Sequence, residues 1–359
     1  MNIAYIVPSL AARGPVIVVH TLVSQMVENG HTCCVFYFDS SDDEMHFPCA
    51  TKKVGLFTKA DLSGFQIVHS HCIRPNLFCF LHKPWFSSSR EKVWITTFHS
   101  YIVEEYLSSY PRLLGKLAAR LFLLLSSRMD RYVVLSHDAL SYYSRWIDVR
   151  KLSVAYNGVD PSDIHLLNDS RAVYDEIARF KGEASLVGTY CSLLKIKNLK
   201  LLLGAFSNMP ETMKMVIIGS GREAASLHEE VRRNRQLAER VLMIPERSDT
   251  RMFLPLMDVF AVTSLSEGFC LALVEAAMAK RRIVVADIPG MREKFSDDEV
   301  TYFDVNCREQ LQKALCDALE DSEKPQKAYR KAMSAFTPQN MYSAYLSIYE
   351  RSYKAAVHK

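Results

Sequence analysis

The sequence predicts an α/β protein made of two doubly wound domains, each with a parallel sheet covered by helices. Short apolar runs alternate with amphipathic stretches along the whole chain, which is typical of repeated strand and helix units. The 359 residues are about twice the length of an average domain. With 49% hydrophobic and 23% charged residues, the composition is that of a globular protein, so we expect two well-formed cores.

The first half contains six apolar runs that predict buried strands. They lie at 3–7, 32–37, 66–69, 93–97, 132–135 and 152–155. Between the first two runs, Val18, Leu22 and Met26 recur at four-residue spacing and predict a helix over 16–28. Pro15 stands where a helix tolerates a residue without an amide proton. Strands separated by helices favour a parallel sheet.

The second half repeats this plan after a cluster of turn formers at 156–161. Its predicted strands lie at 185–190, 215–218, 241–244, 259–263 and 283–286. We therefore expect an N-terminal domain over 1–160, a C-terminal domain over 161–338, and a helix over 339–359 that packs across both. Ligands of doubly wound sheets bind at the carboxyl ends of the strands. The default site is thus a central cleft that the two domains face.

Composition excludes several classes of protein. The nine cysteines form no Cys-x-x-Cys pair, which argues against a zinc site and a disulfide framework and favours a reducing compartment. The chain start lacks a basic region, so we expect no secretory signal. The apolar stretch 117–125 is about half the length of a membrane span. A net charge of +4 is too small to indicate nucleic-acid binding.

The segment 112–151 is the exception to this mild charge. It carries eight basic and three acidic residues, a net charge of +5. Leu113, Leu117, Leu121 and Leu124 follow one helical face within it. One interpretation is a core helix with a solvated edge; the other is peripheral contact with anionic lipid.

The strongest motif spans 264–279, after the predicted strand 259–263 and at the start of a helix. Glu267 in the turn and Glu275 on the second helical turn can contact different parts of one extended polar ligand. A helix N-terminus favours anions, so the local amides suit a phosphate, and Glu275 suits the hydroxyls of a ribose. These amides belong to Gly268, Phe269 and Cys270. The alternative is a capping glutamate and a second glutamate on a helix surface.

In this context the sequence resembles the retaining GT-B glycosyltransferases called glycosyl transferases group 1 or family four. The family signature E-G-F-x-L-x-x-x-E-A falls on Glu267, Gly268, Phe269, Leu271, Glu275 and Ala276. Further matches lie in the family's order at 155–160, 197–202, 217–221, 287–293 and 345–349.

The resemblance implies a GT-B fold with two Rossmann-like domains. It implies transfer of a sugar, with retention, from a nucleotide diphosphate sugar to a glycan or lipid-linked glycan, as in bacterial lipopolysaccharide or capsule assembly. A UDP-sugar is favoured and a GDP-sugar is the alternative. The nucleotide sugar is a substrate, no cofactor or metal is expected, and the expected location is cytoplasmic, with peripheral attachment to the inner face of the membrane.

The resemblance also assigns residues on the donor side. Lys197 corresponds to the lysine that stabilises the leaving diphosphate. Relatives usually carry an arginine five positions earlier, where this chain has Ser192, and we expect Lys195 to substitute for it. The matched segment 217–221 contributes Gly219 and Gly221 to the donor site.

On the N-terminal side, Gly14 corresponds to a loop glycine that approaches the donor phosphates, where relatives usually have two glycines. His99 corresponds to a residue that orients the donor sugar, while a capping or packed histidine is the alternative. His71 and Arg74 are expected on the acceptor side. The spacing of His69 and His71 would suit a metal, but no third ligand stands in a matching arrangement.

Two other functions stay open at this stage. A sugar-nucleotide epimerase or a phosphorylase would share the two-domain plan. A non-catalytic subunit that binds a sugar nucleotide would explain Ser192, the single loop glycine and the basic run 280–282, where relatives often have glycine and proline.

Overall fold

The computed structural model describes residues 1–41, 44–58, 60–84, 92–162 and 166–358. The chain divides into two compact units. Unit 1 comprises Met1–Asp160 and Phe336–Lys359, and unit 2 comprises Pro161–Ala335. The C-terminal segment therefore belongs to the first unit.

The described part of unit 1 contains a seven-stranded parallel sheet. Its strands are β1 (Asn2–Ser9), β2 (Thr32–Asp39), β3 (Ala50–Lys53), β4 (Ile67–His71), β5 (Val93–Phe98), β6 (Arg131–Val134) and β7 (Leu152–Val154). The helices before the boundary are α1 (Gly14–Glu28), α2 (Ile73–His82), α3 (Ile102–Ser109), α4 (Arg112–Ser126) and α5 (His137–Tyr143). The strand order is β3-β2-β1-β4-β5-β6-β7.

The described part of unit 2 contains a six-stranded parallel sheet in the order β10-β9-β8-β11-β12-β13. Its strands are β8 (Ser185–Tyr190), β9 (Met213–Ile218), β10 (Val241–Ile244), β11 (Val259–Val262), β12 (Arg282–Ala286) and β13 (Thr301–Phe303). Its helices are α6 (Ser170–Lys181), α7 (Leu199–Phe206), α8 (Ala224–Arg233), α9 (Arg235–Ala238), α10 (Leu271–Met278), α11 (Pro289–Arg292), α12 (Arg308–Glu320) and α13 (Lys324–Ala335). The final helix, α14 (Pro338–Val357), returns to unit 1.

Each sheet reverses its strand order at one point, and that point locates a site. In unit 1 the reversal lies between β1 and β4, and in unit 2 between β8 and β11. Loops at the carboxyl ends of such strands diverge and leave a crevice for a ligand. The loops after these four strands are therefore the expected place of the site.

The predicted strands are confirmed with small shifts at their ends, and two further strands were not predicted. β3 is an edge strand whose four residues are all exposed, so it lacks the apolar run of a buried strand. β13 is a three-residue edge strand, too short to give a periodic pattern. Edge strands face water on one side and need fewer apolar residues.

The helix α4 packs on the core and has a solvated edge, as one interpretation expected, but the leucine stripe lies on the solvated side. Gly115, Ala119, Phe122 and Ser126 form its buried face, while the predicted leucine stripe is exposed. A Cβ atom on Gly115 would lie 2.8 Å from the carbonyl oxygen of Tyr106, so α4 packs on α3 through close backbone contact. Among the described residues, no helix is both long and apolar enough to cross a bilayer.

The C-terminal helix α14 is amphipathic and packs on unit 1. Thr337 caps it, because its side chain accepts a hydrogen bond from the Asn340 amide at 3.2 Å. Its buried side chains include all four predicted ones: Met341, Tyr345, Ile348 and Tyr349. Among them, Tyr349 brings its hydroxyl group to His69 of β4, and Tyr345 brings its own to Thr97 of β5.

Candidate functional site

A buried ion pair joins the two loops at the reversal point of unit 2. Lys197 ends a 3-10 turn after β8, and Glu267 lies in the loop after β11. The Lys197 Nζ is 2.5 Å from the Glu267 Oε1, and the side chains are 21% and 11% exposed. The Ser264 hydroxyl also donates to this carboxylate, at 2.6 Å. Lys197 and Glu267, predicted from separate motifs, thus lie together.

Hydrogen bonds to backbone carbonyl groups join these two loops to each other. The Leu265 amide donates to the Ile196 carbonyl at 2.8 Å, and the Thr263 hydroxyl donates to the Lys197 carbonyl at 2.7 Å. The loops are therefore held by bonds that do not involve the charged atoms.

Lys197 is positively charged despite its burial. Burial alone would lower the pKa of its ammonium group, but the adjacent Glu267 carboxylate outweighs that effect and the pKa is raised. Two cysteines border the pair, and burial raises the pKa of Cys191 to about 11. Burial likewise raises the pKa of Cys270, so both thiols are protonated at neutral pH.

Glu275 lies on the second turn of α10, as predicted, with its side chain 10% exposed. The Tyr190 hydroxyl donates to its Oε2 at 2.5 Å, and the Arg251 Nε is 3.9 Å from its Oε1. Burial raises the pKa of Glu275, and Arg251 and Tyr190 oppose that shift. Tyr190 is the last residue of β8 and was not predicted; its place at the carboxyl end of a central strand was the available signal.

The turn before α10 exposes the start of the helix to a ligand. Cys270 precedes the first helical residue, Leu271, with a left-handed φ of 64°, and its own side chain makes no capping hydrogen bond. The Phe269 side chain is buried, and Gly268 precedes it in the same turn. The start of a helix favours anions, so this turn suits a phosphate.

Gly219 and Gly221 support the neighbouring loop. A Cβ atom on Gly219 would lie 2.0 Å from the Cys191 carbonyl oxygen, and one on Gly221 would lie 2.4 Å from that of Leu193. Both positions therefore require glycine for packing. Between these contacts the loop presents Ser192, which is exposed, as is Lys195 three residues later.

The reversal point of unit 1 carries a row of histidines. His69 and His71 end β4, and His99 follows β5. The His71 Nδ1 is 2.8 Å from the His99 Nε2, so one ring donates a hydrogen bond to the other. The second nitrogen of His71, Nε2, is buried and has no hydrogen-bond partner among the described residues. An orphaned ring nitrogen at this position suits a ligand or a water.

Hydroxyl groups hold the innermost histidine. The His69 Nδ1 is 2.6 Å from the Tyr349 hydroxyl, and the His69 Nε2 is 2.8 Å from the Thr97 hydroxyl. Burial lowers the pKa of His69 to about 3 and that of His99 to about 4, and it also lowers that of His71. All three rings are neutral at neutral pH.

Two further predicted residues belong to unit 1. Arg74, on the first turn of α2, forms an ion pair with Asp39 and covers the Phe38 ring at 5.0 Å. Gly14 begins α1, and a Cβ atom there would meet nothing within 4 Å. The structure thus gives Gly14 no packing role.

Comparisons with known proteins agree with these two units. Residues 12–163 match the family model described as Glycosyltransferase Family 4, and residues 171–334 match Glycosyl transferases group 1. The chain is 28% identical over 365 residues to an O-antigen biosynthesis glycosyltransferase, WclY, of Escherichia coli, covering 99% of both chains. It is 30% identical over 189 residues to a Campylobacter jejuni N-acetylgalactosaminyltransferase that acts on a diphospho-undecaprenol glycan, covering 51% of this chain and 48% of the other.

Solved structures show the same fold at low sequence identity. A sucrose-phosphate synthase of Thermosynechococcus elongatus has a TM-score of 0.81 at 17% identity, over 99% of both chains. The Anabaena protein HepE, solved with UDP and glucose, has a TM-score of 0.79 at 15% identity, over 98% of this chain and 100% of that one. With both halves matched in order, the chain belongs to the glycosyl transferases group 1 family and has the GT-B fold of two Rossmann-like domains.

Proposed function

We propose that this glycosyltransferase moves a sugar from a UDP-sugar to a lipid-linked glycan during O-antigen assembly, with retention of anomeric configuration and without a metal. The observation that carries the proposal is the Lys197–Glu267 pair beside the start of α10 and Glu275. The WclY relative supports the pathway, and the Campylobacter relative supports a lipid diphosphate acceptor.

The donor would be held by charge and backbone together. An ammonium group has three N–H donors, so Lys197 can bind Glu267 and a diphosphate oxygen at once. The amides at the start of α10 complete the phosphate site, and Glu275 accepts from the ribose hydroxyls. Lys197 then stabilises the charge that develops on the leaving diphosphate, which is the task a divalent ion would otherwise perform.

Glu267 would serve two roles in this arrangement. Its carboxylate places the Lys197 ammonium, and its second oxygen is available to a sugar hydroxyl. Burial keeps the Cys270 thiol protonated, and Lys197 and Ser264 engage the Glu267 carboxylate, so neither group is set up as a nucleophile. Retention would therefore follow front-face departure, with the leaving phosphate assisting the acceptor.

Unit 1 would contribute neutral hydrogen-bonding groups. His99 would orient the transferred sugar through a ring nitrogen, and His71 would hold His99 in one tautomer. Arg74 and the open backbone at Gly14 would lie on the acceptor and phosphate sides of this edge. Neutral imidazoles suit hydroxyl groups and do not attract the diphosphate away from Lys197.

The test is release of UDP from UDP-sugars in the presence of a lipid-linked glycan and excess EDTA. We expect UDP only when donor and acceptor are both present. Release that needs magnesium would refute the metal-free account, and conversion of the donor alone would indicate an epimerase. Nuclear magnetic resonance of the product reports the anomeric configuration, and an inverted product would refute retention.

Ser192 gives a sharper test of the donor site. If Lys195 replaces the cation that relatives carry at this loop, Lys195→Ala weakens UDP-sugar binding by about tenfold, and Ser192→Arg in that variant restores part of it. The control is Lys200→Ala, which removes an exposed lysine of the same segment. Unchanged binding in Lys195→Ala would remove Lys195 from the site. Absence of turnover over a broad panel would instead favour a non-catalytic binding subunit.

A further inference from the structure

A buried lysine lies against the turn that begins α10, and the donor site described above does not use it. Lys294 follows α11 in the chain and is 1% exposed. Its ammonium group donates to the carbonyl oxygen of Gly290 and lies 5.0 Å from the centre of the Phe269 ring. Phe269 belongs to the turn 268–270, which joins Glu267 to the first residue of α10. Lys294 is therefore in contact with the turn that is proposed to hold the donor phosphates.

The burial of this lysine needs an explanation, because lysine side chains are rarely buried so deeply. Taking an ammonium group out of water is costly unless hydrogen bonds and charges compensate for the loss. An apolar side chain of similar length would fill the space next to Phe269 without that cost. Buried ionisable groups cluster at functional sites, where their charge serves a ligand. The position of Lys294 beside the proposed phosphate turn gives its charge such a use.

The charge of Lys294 acts on the turn itself. Burial and the Glu267 carboxylate raise the pKa of the Cys270 thiol, while the charges of Lys197 and Lys294 both act in the opposite direction. Cys270 therefore lies within the electrostatic reach of two cations, one from the loop after β8 and one from the segment after α11. Charges interact strongly where water is excluded, so both cations would stabilise an anion at this turn.

We propose that Lys294 is a positioning residue of the donor site: its ammonium group holds the Phe269 ring, and with it the turn 268–270, and adds positive charge beside the donor diphosphate. This inference rests on the proposed function, because it takes the turn as the diphosphate site. A cation over an aromatic ring is attracted more strongly when both are shielded from water, so the contact suits a fixed position. Lys294 also adds a cation to a site in which Ser192 stands where the resemblance implies an arginine.

Binding titrations of the full chain with UDP and with uridine separate the effect of charge from the effect of packing. Both ligands present the same nucleoside, and only UDP carries the diphosphate, so the parent should bind UDP more tightly. Lys294→Met keeps a long apolar side chain and removes the charge. It should weaken UDP binding about tenfold and change uridine binding less than about twofold. Lys294→Arg keeps the charge and should keep the UDP affinity within about threefold of the parent.

Lys214 is the matched control in unit 2. Its ammonium group donates to the Phe180 carbonyl oxygen at 2.5 Å and lies 5.1 Å from the centre of the Phe180 ring. It stands near the amino end of β9, whereas the site lies at the carboxyl ends of the strands, so Lys214→Met should leave both affinities unchanged.

Two results would overturn the inference about Lys294: equal losses of UDP and uridine binding in Lys294→Met, or no loss of either. Lys294→Gln removes the same charge and makes the comparison again if the methionine variant does not fold. A parent that binds UDP no more tightly than uridine would refute the proposed diphosphate site, and this inference with it.

Discussion

Variants of Lys197 and Glu267 can separate the contribution of this ion pair to the stability of unit 2 from its contribution to sugar transfer. The charged atoms are 2.5 Å apart and little exposed. Removing one partner of a buried pair leaves the other charge without compensation, at a cost of about 3–5 kcal/mol. Since Lys197 is 21% exposed, we expect about 3 kcal/mol for Lys197→Met, the lower end of that range.

The double variant gives the opposite expectation for stability. Lys197→Met with Glu267→Gln removes both charges of the pair, so most of the lost stability should return. For a unit of this size, about 3 kcal/mol corresponds to a fall of about 6–12 °C in Tm. Calorimetry of the parent, both single variants and the double variant measures this cycle on the transition of unit 2.

Activity should not follow stability in the same cycle. The double variant lacks the ammonium group that is proposed to stabilise the leaving diphosphate, so kcat for UDP release should stay low while Tm recovers. Lys313 and Asp317 form an exposed pair on α12 of the same unit, and Lys313→Met with Asp317→Asn should change Tm by less than about 2 °C. Additive Tm losses would refute coupling within the buried pair. Normal turnover in the double variant would remove Lys197 from catalysis.

Three further predictions concern other parts of the molecule. Glu275→Ala should weaken UDP binding in calorimetry at least about tenfold, whereas Glu320→Ala, at an exposed helix end of unit 2, should not. Gly115→Ala should destabilise unit 1 by about 1–3 kcal/mol in urea, although alanine favours helices, because the new Cβ atom meets a backbone oxygen. Gly204→Ala is the control: its Cβ atom meets only the end of an arginine side chain, so this variant should be neutral or stabilising. Burial lowers the pKa of His99 to about 4, so as the pH falls this histidine is protonated in the unfolded chain before it is protonated in the folded one. The free energy of unfolding should therefore decrease from about pH 6.5 towards about pH 4. His99→Gln should reduce that decrease in urea titrations.

Most strands could be predicted because buried strands leave apolar runs in the local sequence. Central strands such as β1 are buried on both faces and form continuous apolar runs, which short windows detect. The edge strands β3 and β13 have no such runs, since their pairing depends on a neighbour far along the chain. Long-range pairing of a polar edge leaves no local pattern.

The donor-side residues could be predicted because charged side chains stand directly after predicted strands, where ligands of such sheets bind. Lys197 and Glu267 follow strands that turned out to flank the reversal point, so loops distant in sequence were expected at one edge of the sheet. The place of Tyr190 at the carboxyl end of a strand pointed to the site, but its bond to Glu275 was not predicted, because an aromatic residue there is usually part of the core. The hydroxyls that hold His69 come from α14 and β5, and no local pattern links those segments.

The helix α4 shows where periodicity alone is ambiguous. A leucine stripe at helical spacing predicts an amphipathic helix but does not say which face meets the core. The small residues Gly115 and Ala119 decide the matter, because they let α4 approach α3 more closely than leucines would. A face of small residues opposite a face of leucines was therefore the signal in the sequence that the leucines point outward.

The loops at the two reversal points differ in charge. This difference supports the proposal that unit 2 binds the donor diphosphate and that unit 1 binds hydroxyl groups. Unit 2 offers a lysine whose positive charge a carboxylate stabilises, together with the start of a helix, so it suits an anionic diphosphate. Unit 1 offers histidines that burial keeps neutral, so it suits hydroxyl groups. Protonating His99 would require a pH near 4, so its hydrogen bonding stays constant across the physiological range. Any pH dependence of transfer between pH 6 and 8 should therefore arise from the substrates or from the acceptor hydroxyl rather than from these histidines.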